Sequence, residues 1–290
     1  MLLGYNTNGL SHHHPRDAVE LLACIGYRSV AITLDHGLVN PFSAAFARQL
    51  AEMRSLLEKH GMRSVVETGA RFLLNPHVKH EPTLVSADPQ GREQRIWFLE
   101  RAVDVARELG SDCVSLWSGA PRDDAGEDEL FDRLVAGLVQ VLDYAAARGS
   151  AREVPLGFEP EPGMVIDTLV RYRRLVERVP AEHLRLTLDV GHLHCQRELP
   201  LAERILECGP RLVNVHIEDM RAGVHEHLMF GEGEIDFPPV LSALEKTGYR
   251  GGVHVELSRH SHDGPHAAQR AFDFLKPLMP AEAGQTNVGR

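Results

Sequence analysis

The sequence predicts a single-domain α/β protein, a closed (β/α)8 barrel, on three observations. Short apolar runs alternate with longer amphipathic stretches along the 290 residues, as they do in βα units around a parallel sheet. Four later runs, VPLGFE, LRLTLD, RLVNVH and GGVHVE, close on a carboxylate or an imidazole: Glu159, Asp189, His216 and Glu256. No stretch reads as an interdomain linker, and the length suits one barrel, which takes about 250 residues. A doubly wound sheet is the alternative. It would leave two open edges and would not gather strand ends five to eight around one point.

The elements follow in order. MLLGYN is the first strand, with a helix from about Pro15 through Cys24. It lacks the basic and long apolar regions of a signal peptide. Ser29–Leu34 is the second strand, followed by a helix from Pro41 to His60 that Gly61 closes. Arg63–Gly69 is the third strand. The long connection from Ala70 to Pro89 carries Asn75, His77 and His80, and a loop of that length points to function. The next helix repeats Ile96, Leu99, Val103 and Ala106 at helical spacing and ends at Gly110. DCVSLWSG is strand four, and Asp128 to Gly149 a helix. VPLGFE is strand five, with a helix from Asp167, its N-cap, to Val179. LRLTLD precedes a short helix over Leu201–Cys208, RLVNVH precedes Phe237–Thr247, and GGVHVE precedes His266–Leu278. The barrel is thus expected over 1–280, and Ala281–Arg290 reads as a flexible tail.

Composition narrows the function. Hydrophobic residues are 43% and charged residues 25%, ordinary for a globular chain. The formal net charge of −10 runs against a phosphate-tracking nucleic-acid binder. No apolar run approaches the roughly 18 residues of a membrane span. Cys24, Cys113, Cys195 and Cys208 have no CxxC spacing and read as free, buried thiols of a cytoplasmic protein. His12, His13 and His14 are too few for a purification tag and follow the first strand at the active rim.

The strand-end residues carry the chemistry. A parallel barrel presents reactive groups at the C-terminal ends of its strands. Glu159, Asp189, His216 and Glu256 are 30, 27 and 40 residues apart in turn, about one βα unit each, so each falls on the next strand. Three carboxylates and one imidazole suit one divalent ion, such as Mn, Mg or Co. An ion on adjacent hydroxyl and carbonyl oxygens acidifies the carbon-bound proton between them, and two glutamates can take and return it. Glu67 closes the third strand at the same rim, as a substrate contact or a structural ion pair. Trp117 ends strand four, as a wall for a sugar ring or a packing residue. Glu161, in the rigid EPEP turn, is expected to have no ligand role. Asp219 is expected to orient neighbours, and His254 to be a satisfied core histidine.

DVGH (Asp189–His192), NVHIED (Asn214–Asp219) and HLMFGEGEIDF (His227–Phe237) resemble the xylose-isomerase-like TIM-barrel superfamily over essentially the whole chain. The resemblance implies that Glu159 and Glu256 bind a divalent metal (Mn, Mg, Co or Zn) and exchange protons, with Asp189 and His216 as the other ligands. It implies that His192 contacts substrate oxygen, that Arg221 and His227 bind substrate, and that Gly231 and Gly233 belong to the loop before the last βα unit. In endonuclease IV-like members an Asp-x-His binds a further zinc. His225-x-His227 stands there in this chain and leaves a second metal open. The expected protein is a metal-dependent isomerase or epimerase of a small sugar, polyol or hydroxy-keto acid, able to form homo-oligomers. The alternatives are a dehydratase using the same site, a metal-dependent phosphodiesterase and a non-catalytic metabolite-binding barrel. The phosphodiesterase is disfavoured because VVETG and SLWSG end without histidine.

Overall fold

The computed structural model describes residues 1–148, 153–179 and 182–280. The first half contains β1 (Leu2–Asn6), a 3-10 turn (Thr7–Leu10), α1 (Pro15–Ile25), β2 (Ser29–Thr33), α2 (Phe46–His60), β3 (Arg63–Glu67), α3 (Pro89–Leu109), β4 (Val114–Leu116) and α4 (Glu127–Ala147). β5 (Leu156–Phe158), α5 (Leu169–Val176), β6 (Leu184–Asp189), α6 (Val190–Cys195), α7 (Leu201–Cys208) and β7 (Leu212–Ile217) follow. The short strands β8 (Asp219–Arg221) and β9 (Val224–Leu228), then α8 (Phe237–Lys246), β10 (Gly252–Val255) and α9 (Gly264–Leu275), complete the described chain. The expected helix end at Gly149 and the tail over 281–290 lie outside the described residues.

Parallel pairing closes a barrel in the order β1-β10-β7-β6-β5-β4-β3-β2. The strands are buried on both faces, which is why they read as near-continuous apolar runs rather than alternating ones. Ala31, Val65 and Cys113, with half-buried Val213, pack together as a small separate cluster. Register then sets the rim. Asp189 lies directly across from His216, and Thr33 across from Glu67. His216 pairs with His254, so Glu256, two residues further on, stands above that level.

The glycine stops fall where the sequence places them. Gly61 and Gly110 close α2 and α3 at φ of 59° and 65°, the left-handed conformation that favours glycine. Several starts differ. α2 begins at Phe46 rather than Pro41, because Asn40 Oδ1 accepts from Phe42 N–H and Ser43 Oγ from Ala45 N–H. These side-chain turns offer the backbone an alternative to the helix. α5 is capped by Thr168, whose Oγ1 accepts from Arg171 N–H, and not by Asp167. α6 and the antiparallel pair β8–β9 were not expected. All four cysteines are free, but Cys24 is exposed on α1 rather than buried. Among the described residues no helix is long and apolar enough to cross a membrane.

Candidate metal centre

Glu159, Asp189, His216 and Glu256 converge, with one donor atom from each inside 4.8 Å of the others. His216 Nδ1 is the hub. Glu159 Oε1 and Glu256 Oε2 each lie 2.9 Å from it, and Asp189 Oδ2 lies 3.9 Å away. Donors bound at about 2.1 Å in octahedral geometry stand roughly 3 Å apart, a spacing that Glu159 and Glu256 already keep to His216 and that Asp189 exceeds.

Local structure explains each position. Asp189 ends β6 and is the N-cap of α6, where its Oδ1 accepts from His192 N–H at 2.7 Å. That leaves Oδ2 buried with no hydrogen-bond partner among the described residues. An orphaned buried carboxylate oxygen aimed at two other carboxylates is costly unless a cation answers it. The residues therefore fit a divalent ion.

Electrostatics agree before any ion binds. Burial raises the Glu159 carboxyl to about 8, against the pull of His216. Burial opposes charge on Glu256 too, but His216 and two further histidines hold it well below the usual carboxylate range. On His216 burial disfavours the cation, and the surrounding Glu159, Glu67 and Glu256 outweigh it and raise its pKa well above normal.

Glu67 has a defined place. Its Oε1 is 2.9 Å from His216 Nε2 and accepts from Asn214 Nδ2 at 3.0 Å. Were Nδ1 to take an ion, Nε2–H would donate to Glu67, the carboxylate–histidine arrangement that orients metal-bound imidazoles. Asn214 Oδ1 accepts from His254 Nδ1 at 2.8 Å, and His254 Nε2 meets Ser29 Oγ at 2.8 Å. His254 is thus fully buried with both nitrogens occupied, a satisfied core histidine.

A second cluster adjoins the first. His192, His225 and His227 bring one ring nitrogen each within 4.8 Å of the others. His192 Nδ1 meets Pro160 O at 3.2 Å and His227 Nδ1 meets Glu256 O at 3.1 Å. Each carbonyl accepts only, so both Nε2 atoms are left with free lone pairs. His192 Nε2 lies 3.1 Å from His225 Nε2.

The cavity above the donors is lined by Trp117, Glu67, His192, His225 and His227, and by Arg71, Phe72, Lys79 and His80 of the β3–α3 loop. Trp117, 8% exposed, stands between the edge of His80 (5.4 Å between centroids) and the guanidinium of Arg95 (4.7 Å). Arg95 is itself only 1% exposed, with Nη2 donating to Thr68 O.

Arg221 is not brought to the cavity. It is exposed at the end of β8, and its guanidinium donates to Glu232 O. β8 turns straight back into β9, which carries the arginine outward and folds His225 and His227 inward in its place. None of His12, His13 and His14 lines the acidic cavity; His14 caps α1. Asp219 organises backbone rather than ligand side chains. Its two oxygens accept from the N–H groups of Met220, Ile235, Gly231 and Gly233. Gly231 has φ 87°, and a Cβ at Gly233 would collide with Asp219, so the loop needs both glycines.

Glu218 and Asn8 had escaped the sequence reading, and Glu161, expected to have no ligand role, also reaches the site. Glu161 lines the cavity, and burial beside Glu159 raises its carboxyl well above normal. Glu218 is fully buried, packed against Asp189. Asn8 donates to Glu256. Even spacing along GVHEHL after a Gly turn was the available signal for the hairpin; Glu218 and Asn8 had none.

The structure is a closed parallel barrel whose strands end, at the C-terminal rim, in a carboxylate-rich donor cluster that fits a divalent ion. The chain belongs to the xylose isomerase-like TIM barrel family, whose model matches residues 19–278. It is 26% identical over 231 residues to an L-ribulose-5-phosphate 3-epimerase of Shigella flexneri, covering 78% of each chain. It is 26% identical over 229 residues, again 78% of each, to that of Salmonella typhi. Among solved structures it resembles a zinc-bound IolI protein at TM-score 0.75 and 19% identity, covering 96% of this chain and 98% of the other. A D-allulose 3-epimerase of Methylomonas sp. with bound D-allulose matches at TM-score 0.73 and 22% identity, covering 96% and 97%.

Proposed function

We propose that the protein is a metal-dependent isomerase or epimerase of a small sugar, with Glu159 and Glu256 moving the proton. The observation that carries this reading is the pair of carboxylates that each stand 2.9 Å from His216 Nδ1. They come from β5 and β10, which β6 and β7 separate in the barrel, so they address the site from two directions. The curated relatives, named as sugar-phosphate 3-epimerases, point to the same chemistry.

Glu159, Asp189, His216 and Glu256 hold the ion, and their oxygen-rich set suits Mn, Mg or Co, with Zn as a further fit. A cation held there supplies a Lewis acid that polarises the substrate carbonyl. One glutamate takes the proton from the carbon between carbonyl and hydroxyl, leaving an enediolate of the sugar. The other glutamate, protonated beforehand, gives its own proton to the opposite face, which inverts that carbon and leaves the two glutamates with exchanged protonation states. Return to the neighbouring carbon by the first glutamate gives aldose–ketose isomerisation. His192, Trp117 and His227 line the space beside the reacting carbon. Glu67 acts by holding His216. Arg221 has no part in this reading.

The directed Nε2 atoms of His192 and His227, with His225, favour a second cation at that trio. A nitrogen-rich set of this kind suits Zn.

The test is deuterium wash-in from D2O, followed by NMR, with Mn-loaded protein and a panel of ketoses and their phosphates. Metal analysis of wild type, Glu159→Gln and Glu256→Gln accompanies it. Exchange at one carbon in wild type and metal lost in the variants are expected. No exchange with any sugar, together with cleavage of abasic DNA, overturns the reading in favour of a phosphodiesterase. One metal equivalent per chain, rather than two, removes the trio.

A further inference from the structure

We propose that Asn8 is a positioning residue for Glu256: it fixes which carboxylate oxygen faces the cation and which is left for the proton. The inference rests on the metal-dependent epimerase reading of the site. Asn8 Nδ2 donates to Glu256 Oε1 at 2.7 Å, while Glu256 Oε2 stands 2.9 Å from His216 Nδ1. The two oxygens of one carboxylate are therefore divided between an amide and the metal hub. A carboxylate oxygen only accepts, so the amide nitrogen must face it.

That orientation has a cost. Asn8 Oδ1 is buried and has no hydrogen-bond partner among the described residues. A buried acceptor without a donor is destabilising, and such groups call for an explanation other than packing. Here the explanation is the grip on Glu256.

The main chain of Asn8 is pinned for that task. Asn6 Oδ1 accepts from Asn8 N–H at 3.0 Å, and Asn6 is itself held by Thr33 Oγ1–H at 2.9 Å. Ser261, in the loop after β10, donates from Oγ to Asn8 O at 2.9 Å. The amide is thus fixed both by the strand that precedes it and by the loop that follows Glu256. Glu159 has no side-chain amide partner among the described residues. The two glutamates are therefore unequal: both meet His216 Nδ1, but only Glu256 has its second oxygen held by a side-chain amide.

Without the amide, Glu256 can rotate and offer both oxygens to the ion, and the free oxygen is lost. Outer partners of this kind are worth about 10–100-fold in metal affinity or activity. The experiment titrates Co²⁺ into wild type, Asn8→Ala and Asn8→Asp, reading the visible spectrum and Kd, with kcat and KM measured beside them. Asn8→Ala is expected to change the Co²⁺ spectrum, weaken Co²⁺ about tenfold and lower kcat about 10–100-fold, leaving KM within about threefold. Asn8→Asp keeps the shape and removes the donor, so it is expected to lose kcat without losing fold. Unchanged Co²⁺ spectrum and Kd in Asn8→Ala, or wild-type kcat in Asn8→Asp, overturns the proposal. Wild type that binds Co²⁺ yet exchanges no sugar proton removes the epimerase reading, and the Co²⁺ comparison still decides the role of Asn8.

Discussion

The two halves of the barrel rim are built in opposite ways. On one side β5, β6, β7 and β10 deliver Glu159, Asp189, His216 and Glu256 from strand ends or the residue just after them, and the pairing of Asp189 with His216 sets their height. On the other side the loop after β3 carries the cavity wall, backed by the loop after β2 through the Asp35–Arg71 pair. Non-glycine residues there stand in left-handed backbone: Val39, Ala70, Arg71 and His80, at φ of 48°, 56°, 35° and 70°. Such residues cost about 1–3 kcal/mol each and persist only where the surroundings hold them. The hold is visible in Arg71, bound to Asp35 at 2.5 Å, and in His80, bonded to Gly69 O. The strand-end side is anionic and rests on regular structure; the facing side is cationic and aromatic and rests on tethered loops. Proton chemistry needs fixed donors, while recognition tolerates change, and the division assigns them to different halves.

That contrast can be broken or sharpened by experiment. The largest effect is expected at the strand ends. Glu159→Gln and Glu256→Gln should each cut deuterium wash-in by about 10²–10⁴-fold; a loss below tenfold in both would remove the proton-transfer role from this half. Next is Glu67→Gln, which leaves His216 without its carboxylate partner. Calorimetric titration should show Mn²⁺ bound about 10–100-fold more weakly. Unchanged affinity would make Glu67 a bystander.

The pH dependence of metal binding follows. Without an ion, Glu159 (raised to about 8) and His216 (raised) both hold protons at neutral pH. A cation must displace them. Affinity should rise with pH through about 8, with protons released on binding, as buffers of different ionisation heat would reveal. Stability of the metal-free protein has two opposing windows. The raised Glu159 stabilises at low pH, and that contribution is lost as pH rises from 4.5 through about 8. Burial lowers His80 and His192 to about 4 and His254 to about 3. They are neutral when folded, so their contribution is present above about 6.5 and lost as pH falls toward those values. Between pH 7 and pH 5 the histidines lower stability while the raised carboxyls of Glu159 and Glu161 increase it, so His254→Asn should shift urea melts toward greater relative stability at pH 5. The smallest effect belongs to the loop half: Lys79→Gln should raise KM less than about fivefold, by the weight of a single exposed charge, with metal content unchanged.

What could be read from the sequence follows the same division. Strand ends and helix stops obey local rules, so the four converging donors and the caps at Gly61 and Gly110 stand where spacing puts them. Arg221 was misplaced because position after a strand says nothing about a chain that reverses within three residues. Asn8 was missed because it meets Glu256 only after closure of the barrel, 248 residues away in sequence; Glu218 was missed because nothing in the run after β7 marks its side chain as turned toward Asp189 of the neighbouring strand. α2 starts late because Asn40 and Ser43 build turns that helical periodicity cannot reveal. Glu161 was read as part of a rigid turn. The turn is there, with Glu161 N–H donating to Ile166 O, but its side chain also lines the cavity.

The layering of Arg95, Trp117 and His80 also has an optical consequence. The chain has two tryptophans. Trp97 is 38% exposed on α3, while Trp117 is sheltered between a cation and an imidazole at the cavity wall. Replacing Trp97 with phenylalanine leaves a single indole, whose emission is set by its charged neighbour and by whatever enters beside it. The fold thus carries its own fluorophore at the mouth of the site, and ligand arrival can be timed without a label.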